Sequence, residues 1–435
     1  MMQVRKPGSR ARIGFQSEQP EYPFVRQMPR LITGAVLSTI LALAGSVVTS
    51  HAGEQPQSRA AAYREAAALT DLGRKLFSDP ILSATGKLSC ASCHVPANDF
   101  TPANALPVQF GGPDLKQTGT RAVPSLTYLQ ATPQFTEHFF DSEEEGDESV
   151  DNGPTGGLTW DGRADRPRDQ ARIPLLAGNE MANADPAAVV DRIAASAYAE
   201  DLKAIYGADV FSNKDQAFLG ILTALETFQQ DAATFYPYTS KYDLYLKGQA
   251  KLTPAETRGL ALFNAENKGN CANCHISEVR GDGTPPQFTD YGMIALGVPR
   301  NPAIPANADP AYHDLGLCGP LRTDFLNQPD YCGLFKTPSL RNVALRKSFF
   351  HNGAFHDLRK VVAFYATRDT DPAKWYPRAA DGSIKAYDDL PAAYRANLNT
   401  DPPFAGKPGD KSALNDTEID DIVAFLGTLT DGYQP

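Results

Sequence analysis

Two short strings constrain this chain more than anything else in it. SCASCHVP (residues 89–96) and NCANCHIS (270–277) each carry two cysteines separated by two residues, with a histidine directly after the second. They supply Cys90, Cys93 and His94, then Cys271, Cys274 and His275. That spacing suits covalent attachment of a c-type haem, in which two thiols bond the porphyrin vinyl groups and the adjacent imidazole ligates the iron. A zinc site built from the four thiols, or a thioredoxin-like redox pair, would draw on the same cysteines. Neither accounts for a histidine after both pairs. Two such motifs predict two covalently bound c-type haems in one chain.

At 435 residues the chain is too long for one core, and two domains are expected. Residues 1–27 are polar and basic. From Met28 the text reads as a secretory signal: Arg30, an apolar run over 31–48, and Ser50-His51-Ala52 as a small-x-small cleavage site before Gly53. An uncleaved anchor is the rival reading, because the run sits at the lower edge of a membrane span. Its Gly34, Ser38, Thr39, Gly45 and Ser46 favour cleavage. Either way the remainder is exported, in a bacterium to the periplasm, and no stable membrane insertion is expected. Without residues 1–52, 35 Lys and Arg face 49 Asp and Glu, a net charge of −14. That balance argues against nucleic acid and suits a soluble protein that meets basic partners. The acidic stretch DSEEEGDESVD (141–151) reads as a solvated loop, with a docking patch for a basic partner as the second reading.

Leu69, Leu72, Leu76 and Phe77 fall on helical spacing and predict a helix over 57–77, ended by Asp79-Pro80. Residues 186–206 and 215–228 repeat the pattern, and a Tyr-rich connector follows over 236–248. Thr253 as N-cap, Pro254 at the first helical position and Glu256 as capping-box partner start another helix, which runs into the second motif. Asn415 caps a last helix whose Ile419, Ile422, Val423 and Leu426 line one face. Each half therefore reads helix, haem motif, long loops, later helices, the order left by a duplication. The expected fold is all-α. A leader and signal over 1–52 precede an N-terminal cytochrome c domain over 53–245 and a C-terminal one over 246–435.

LGRKLFSDPILS (72–83), TWDGRA (159–164), ETRGLALFN (256–264) and FKTPSLRNVALRKSFFHNGAF (335–355), with the final helix, resemble the bacterial dihaem cytochrome c peroxidase and MauG superfamily. The resemblance implies two cytochrome c domains packed face to face, a peroxide-reactive haem on His94 and an electron-transfer haem on His275. It makes Trp160 the tryptophan between the haems. Gln170 and Pro174 belong to the distal pocket, and Glu180 is the catalytic glutamate that moves a proton between peroxide oxygens. Two departures matter. PVQFGGPDLKQTG (107–119) lacks the histidine that closes the reactive haem in some members, and His138 is the only histidine between His94 and Trp160, so the first haem is expected to be open. Ala122 in RAVP (121–124) replaces an asparagine calcium ligand, which leaves calcium uncertain.

Fourteen residues after His351, the place of an axial methionine in the classical branch holds Tyr365, as in the MauG-like branch. Beyond the signal only Met181 and Met293 remain, with Met293 the runner-up donor. A phenolate favours oxidised iron, whereas a thioether raises the potential. Outside both motifs, Cys318 and Cys332 are expected to pair in an exported protein. His313 and His356 are read as surface or structural residues. The expected function is a dihaem oxidoreductase that activates hydrogen peroxide and, MauG-like, oxidises aromatic side chains of a small exported partner protein. A cytochrome c peroxidase fed by a small redox protein is the alternative. A plain electron-transfer cytochrome is the third reading, and the Gln170 and Glu180 pair speaks against it.

Overall fold

Ser58 accepts the amide of Ala61 and so starts the first long helix, α1 (Arg59–Ser78), whose Leu69, Leu72, Leu76 and Phe77 are buried. A computed structural model describes residues 58–139, 152–404 and 406–434. The expected signal segment and the acidic stretch 141–151 lie outside the described residues. The haem-motif turn α2 (Cys90–Cys93) follows α1, and then α3 (Pro167–Leu176), α4 (Pro186–Ala194), α5 (Tyr198–Tyr206), α6 (Lys214–Gln229), α7 (Ala232–Phe235) and α8 (Lys241–Leu246). The second half adds α9 (Pro254–Asn264), α10 (Leu358–Thr367) and α11 (Asp416–Gly427). Among the described residues strand is confined to two antiparallel two-residue pairs: β1 (Phe110–Gly111) with β2 (Gln117–Thr118), and β3 (Met293–Ile294) with β4 (Phe335–Lys336). The chain is thus helix-rich, with long irregular segments between the helices. No helix among the described residues is long and apolar enough to cross a membrane.

Two hydrophobic cores form within one compact unit, Gln57–Pro435. They repeat each other closely. In the first, α1 crosses α6 so tightly that a Cβ on Gly73 would lie 1.9 Å from the Ala224 carbonyl oxygen and 2.8 Å from the Phe228 Cβ. In the second, α9 crosses α11 in the same way, with Gly259 at 2.0 Å from the Asp421 oxygen and 2.8 Å from the Phe425 Cβ. Phe77 meets Phe228 edge to face at 5.5 Å, and Phe263 meets Phe425 at 5.2 Å. The helix that leads into each haem motif therefore locks onto the last long helix of its half.

Some local readings need refinement. The run over 186–206 is two helices, because Ser196 Oγ donates to the Ile193 carbonyl and accepts the Tyr198 amide, ending one helix and starting the next. The Tyr-rich connector contains α8, capped by Ser240 with Asp243. Tyr236 packs against the first core, while Tyr242 lies within the second. The capping boxes at Thr253–Glu256 and Asn415–Glu418 are both formed. Cys318 and Cys332 form a disulfide with Cα atoms 4.9 Å apart.

Candidate active site

The two haem motifs fold alike. The amides of His94 and His275 each donate to the carbonyl of the cysteine four residues earlier, at 2.8 Å in both. The Nδ1 atoms of the two imidazoles face the carbonyls of Phe100 at 3.2 Å and Phe288 at 2.8 Å. A carbonyl only accepts, so Nδ1 carries the hydrogen and Nε2 keeps its lone pair for a metal. Burial pushes both imidazoles down to about 4, so they stay neutral at any physiological pH. The backbone of Pro124 acts on His94 as that of Pro338 acts on His275. Both prolines open the same short string, PSL at 124–126 and 338–340. That repeat is a sequence signal for the segment beside each histidine, and motif reading passes over it.

None of the four motif cysteines is in a disulfide. Burial pushes the thiols of Cys90 and Cys271 up to about 12, and Cys93 up to about 11. Among the described residues no group of three or more His, Cys, Asp or Glu gathers to hold a metal ion. A zinc site of four thiols therefore has no geometry here.

A cavity of about 260 Å³ is lined by Cys271, Cys274, His275 and Tyr365 from the second half and by Pro124, Trp160 and Gln170 from the first. Tyr365, on α10, lies between the rings of Phe350 at 6.0 Å and Phe404 at 5.5 Å. Among the described residues its hydroxyl has no hydrogen-bond partner, and burial raises its phenol far above the ordinary value, with Cys274 and Cys271 adding to the shift. Met293 instead points its methyl end at Gly162, where an added Cβ would meet it at 2.7 Å.

Three polar groups on the cavity wall were not singled out from sequence. Among the described residues the Arg346 guanidinium donates only to the Val123 carbonyl, at 3.2 Å, and burial pushes it down to about 10. It is close enough to His94 to lower that imidazole as well. Lys336 donates to the Gly157 carbonyl and is pushed down by burial to about 8. His351 is stacked on Phe335 at 3.6 Å, and its buried Nε2 has no partner. Neither Arg346 nor Lys336 has an acidic partner within ion-pair distance among the described residues. Buried cations are costly unless an anion joins them. The carboxylates of haem propionates are anions of the right kind, so thiols, imidazoles and cations together fit two c-type haems.

Trp160 is buried, and its indole N–H donates to the Ala122 carbonyl at 2.8 Å. Gln170 and Pro174 lie one helical turn apart on α3, with Pro174 inside the helix near its end. Glu180 follows in the turn after it and accepts the Gly112 amide on its backbone carbonyl at 2.8 Å, while Gly111 packs on its backbone. The 107–119 loop, with its β1–β2 hairpin, thus covers the Glu180 turn. The Glu180 side chain is exposed in area yet walled by protein, as a group in a cleft is; desolvation raises its carboxyl pKa, and Arg163 opposes this. Its charge is felt by both Cys90 and Cys93, which puts it on the side of the first motif. His138 is exposed, in the segment where Thr136 pairs with Thr155.

Comparison with known proteins agrees with this geometry. The family described as di-haem cytochrome c peroxidase matches residues 67–251. The methylamine utilization protein MauG of Paracoccus denitrificans is 35% identical over 379 residues, covering 85% of this chain and 90% of that protein. Cytochrome c551 peroxidase of Nitrosomonas europaea is 26% identical over 410 residues, 93% of each. Among solved structures, the diheme peroxidase BthA of Burkholderia thailandensis superposes with a TM-score of 0.74 at 39% identity, over 84% of this chain and 86% of that one. Two haem motifs on two repeated cores, a cavity rimmed by uncompensated cations, and relatives of this closeness place the chain in the dihaem cytochrome c peroxidase and MauG family, as a peroxidase-type oxidoreductase with two c-type haems.

Proposed function

We propose that this protein activates hydrogen peroxide at the His94 haem and uses the oxidising power on aromatic side chains of a small exported partner protein. The observation that carries this reading is the place of Tyr365, whose hydroxyl has no hydrogen-bond partner among the described residues, on the wall that holds Cys271, Cys274 and His275. A phenolate at that place favours the oxidised metal and holds oxidising equivalents, whereas a thioether would favour release to a reducing partner. When bound, the haems supply the iron at which peroxide is cleaved and the store from which its oxidising power is drawn.

The chain's own residues do the rest. Glu180 takes a proton from one peroxide oxygen and returns it to the other, so that water leaves. Its raised pKa brings it nearer to neutrality than an ordinary carboxylate and makes it the stronger base. Gln170 and Pro174, one turn apart on α3, bound the space in which peroxide sits and limit the water that competes with it. Trp160 relays electrons between the two halves. Its N–H is tied to a backbone carbonyl, which accepts a hydrogen bond but no proton, so the indole passes an electron while keeping its hydrogen. Reduction of one peroxide to two waters takes two electrons and two protons, and the partner's aromatic side chains lose that electron pair.

The second reading, a peroxidase that takes both electrons from a small redox protein, is favoured by the likeness to a solved diheme peroxidase at 39% identity. Stopped-flow mixing of the fully oxidised protein with one equivalent of peroxide separates the two. The first reading expects reaction without prior reduction and a long-lived oxidised protein that decays faster when a partner is added. It also expects Tyr365→Phe to shorten that lifetime at least tenfold. An oxidised protein that stays inert until half-reduced would support the peroxidase reading, with a residue such as His138 closing the first haem.

A further inference from the structure

Beside Trp160 lies a buried ionic cluster that the haem chemistry does not use. Arg121, with 8% of its side chain exposed, donates Nη1 to Asp161 Oδ2 at 2.6 Å. Its Nε and Nη2 form a two-pronged contact with both oxygens of Asp314, at 2.6 and 2.7 Å. Asp161 is fully buried and also accepts from Thr159 Oγ1 at 2.6 Å and from Arg163 Nη1 at 2.8 Å to each oxygen. Arg121, Asp161 and Arg163 come from the first half and Asp314 from the second. Two arginines face two aspartates, so the cluster is electrically closed. Arg121, Asp161 and Asp314 are buried and Arg163 only partly so; burying these charges costs desolvation energy that a bare structural contact would avoid.

What the cluster holds is visible in the neighbouring backbone. Ala122, next to Arg121, accepts the Trp160 indole N–H at 2.8 Å and donates its own amide to the His351 carbonyl at 2.7 Å. Trp160 is next to Asp161, and its carbonyl accepts the Lys336 amide at 2.8 Å. Each partner of the Arg121–Asp161 pair is thus one peptide bond from an atom that fixes the indole.

We propose that Arg121 is a positioning residue acting as a built-in cation: its guanidinium does the work of a bound divalent ion between the halves and holds Trp160 in place through Asp161 and Asp314. The calcium implied by the family resemblance does not fit these residues. Ala122 offers no side-chain oxygen, and the carboxylates of Asp161 and Asp314 beside it are already held by guanidinium at hydrogen-bond distance. Calcium seeks six to eight oxygen ligands, and an ion drawing on these two carboxylates would compete with Arg121 for them. A guanidinium is always charged, presents a fixed planar fork and does not dissociate, so its hold on the indole is independent of free metal.

The inference rests on Trp160 being the relay between the halves only for its consequence; the positioning itself is read without peroxide. In a Trp375→Phe background, Trp160 is the single tryptophan of the chain, and its ultraviolet resonance Raman bands report the indole hydrogen bond. The holoprotein should contain no calcium by elemental analysis after ordinary purification, and chelator should leave those bands unchanged. Arg121→Met should shift the bands toward a free indole N–H, and Arg121→Lys should restore part of the bonded signature. A stoichiometric calcium whose removal shifts the Trp160 bands would overturn the proposal, as would an Arg121→Met protein with unshifted bands. If Arg121→Met fails to fold, the chelator test on the parent and the Arg121→Lys spectrum still decide. Arg121→Lys with bands identical to those of the parent would show that the fork geometry is not required and would sink the positioning claim.

Discussion

At the scale of the residue, Glu180 is the group whose environment says most about its work. Desolvation lifts its pKa, and Arg163, shared with Asp161, limits the lift. A base must be deprotonated to take the peroxide proton, so the rate constant for peroxide cleavage should rise with pH through a carboxyl pKa above the ordinary glutamate value. Glu180→Gln should retain both haems, slow cleavage by roughly 100-fold or more, and flatten that limb of the profile. Stopped-flow rates measured across pH check both points, and near-normal rates in the variant would place the proton shuttle elsewhere. Glu180 stood out in the sequence only through the family resemblance, because no short local motif marks a lone acid near a helix end. The surroundings of Lys336, Arg346 and His351 were not legible, since a cation without an acidic partner and an imidazole nitrogen without a hydrogen bond among the described residues are visible only once the neighbouring segments are in place.

At the scale of the element, the matched glycines of α1 and α9 decide how each haem motif is presented. In an exposed helix interior, Gly→Ala stabilises by about 1 kcal/mol. At Gly73 and Gly259 the sign should reverse, because the new methyl would meet the backbone carbonyls of Ala224 and Asp421 at 1.9 and 2.0 Å. Forcing the helices apart should cost about 2–3 kcal/mol at each crossing. Denaturant unfolding of Gly73→Ala and Gly259→Ala measures this, and a raised midpoint in either would show that the crossing yields freely. The sequence showed both helices and their caps, because apolar spacing and capping residues are local signals. It did not show which helix each would cross.

At the scale of the whole molecule, buried charge and aromatic rings tie together segments far apart in the chain. Arg341, fully buried on the second half, forms a two-bond pair with Asp243 of α8 at 2.8 and 3.0 Å. Its guanidinium lies 4.7 Å from the ring of Tyr128 and 4.8 Å from that of Tyr238. Tyr128 in turn donates to Asp431 at 2.8 Å, near the end of the chain. Asp243→Asn would leave the guanidinium buried with no counter-charge, so unfolding free energy should fall by about 3 kcal/mol or more. A urea midpoint within error of the parent would mean that the aromatic rings alone stabilise Arg341. This junction also explains why a connector that reads as a loop is helical: Asp243 and Tyr242 are held by partners about a hundred and a hundred and eighty residues away.

By itself the sequence determined what is written in consecutive residues: two haem motifs, the helices that lead into them, and the caps; Trp160, Gln170, Pro174 and Glu180 stood out only through the family resemblance. Covalent spacing and helical periodicity act over a few residues, so they survive in a linear text. Tertiary structure alone decided what is made by distant segments: the glycine-to-carbonyl crossings, the cavity shared by Tyr365 and Trp160, the setting of Arg346 and Lys336 without an acidic partner among the described residues, and the Arg121 cluster between the halves. Charges and close packing act through space, and the chain brings Arg121 to Asp314 across 193 positions that no local pattern connects.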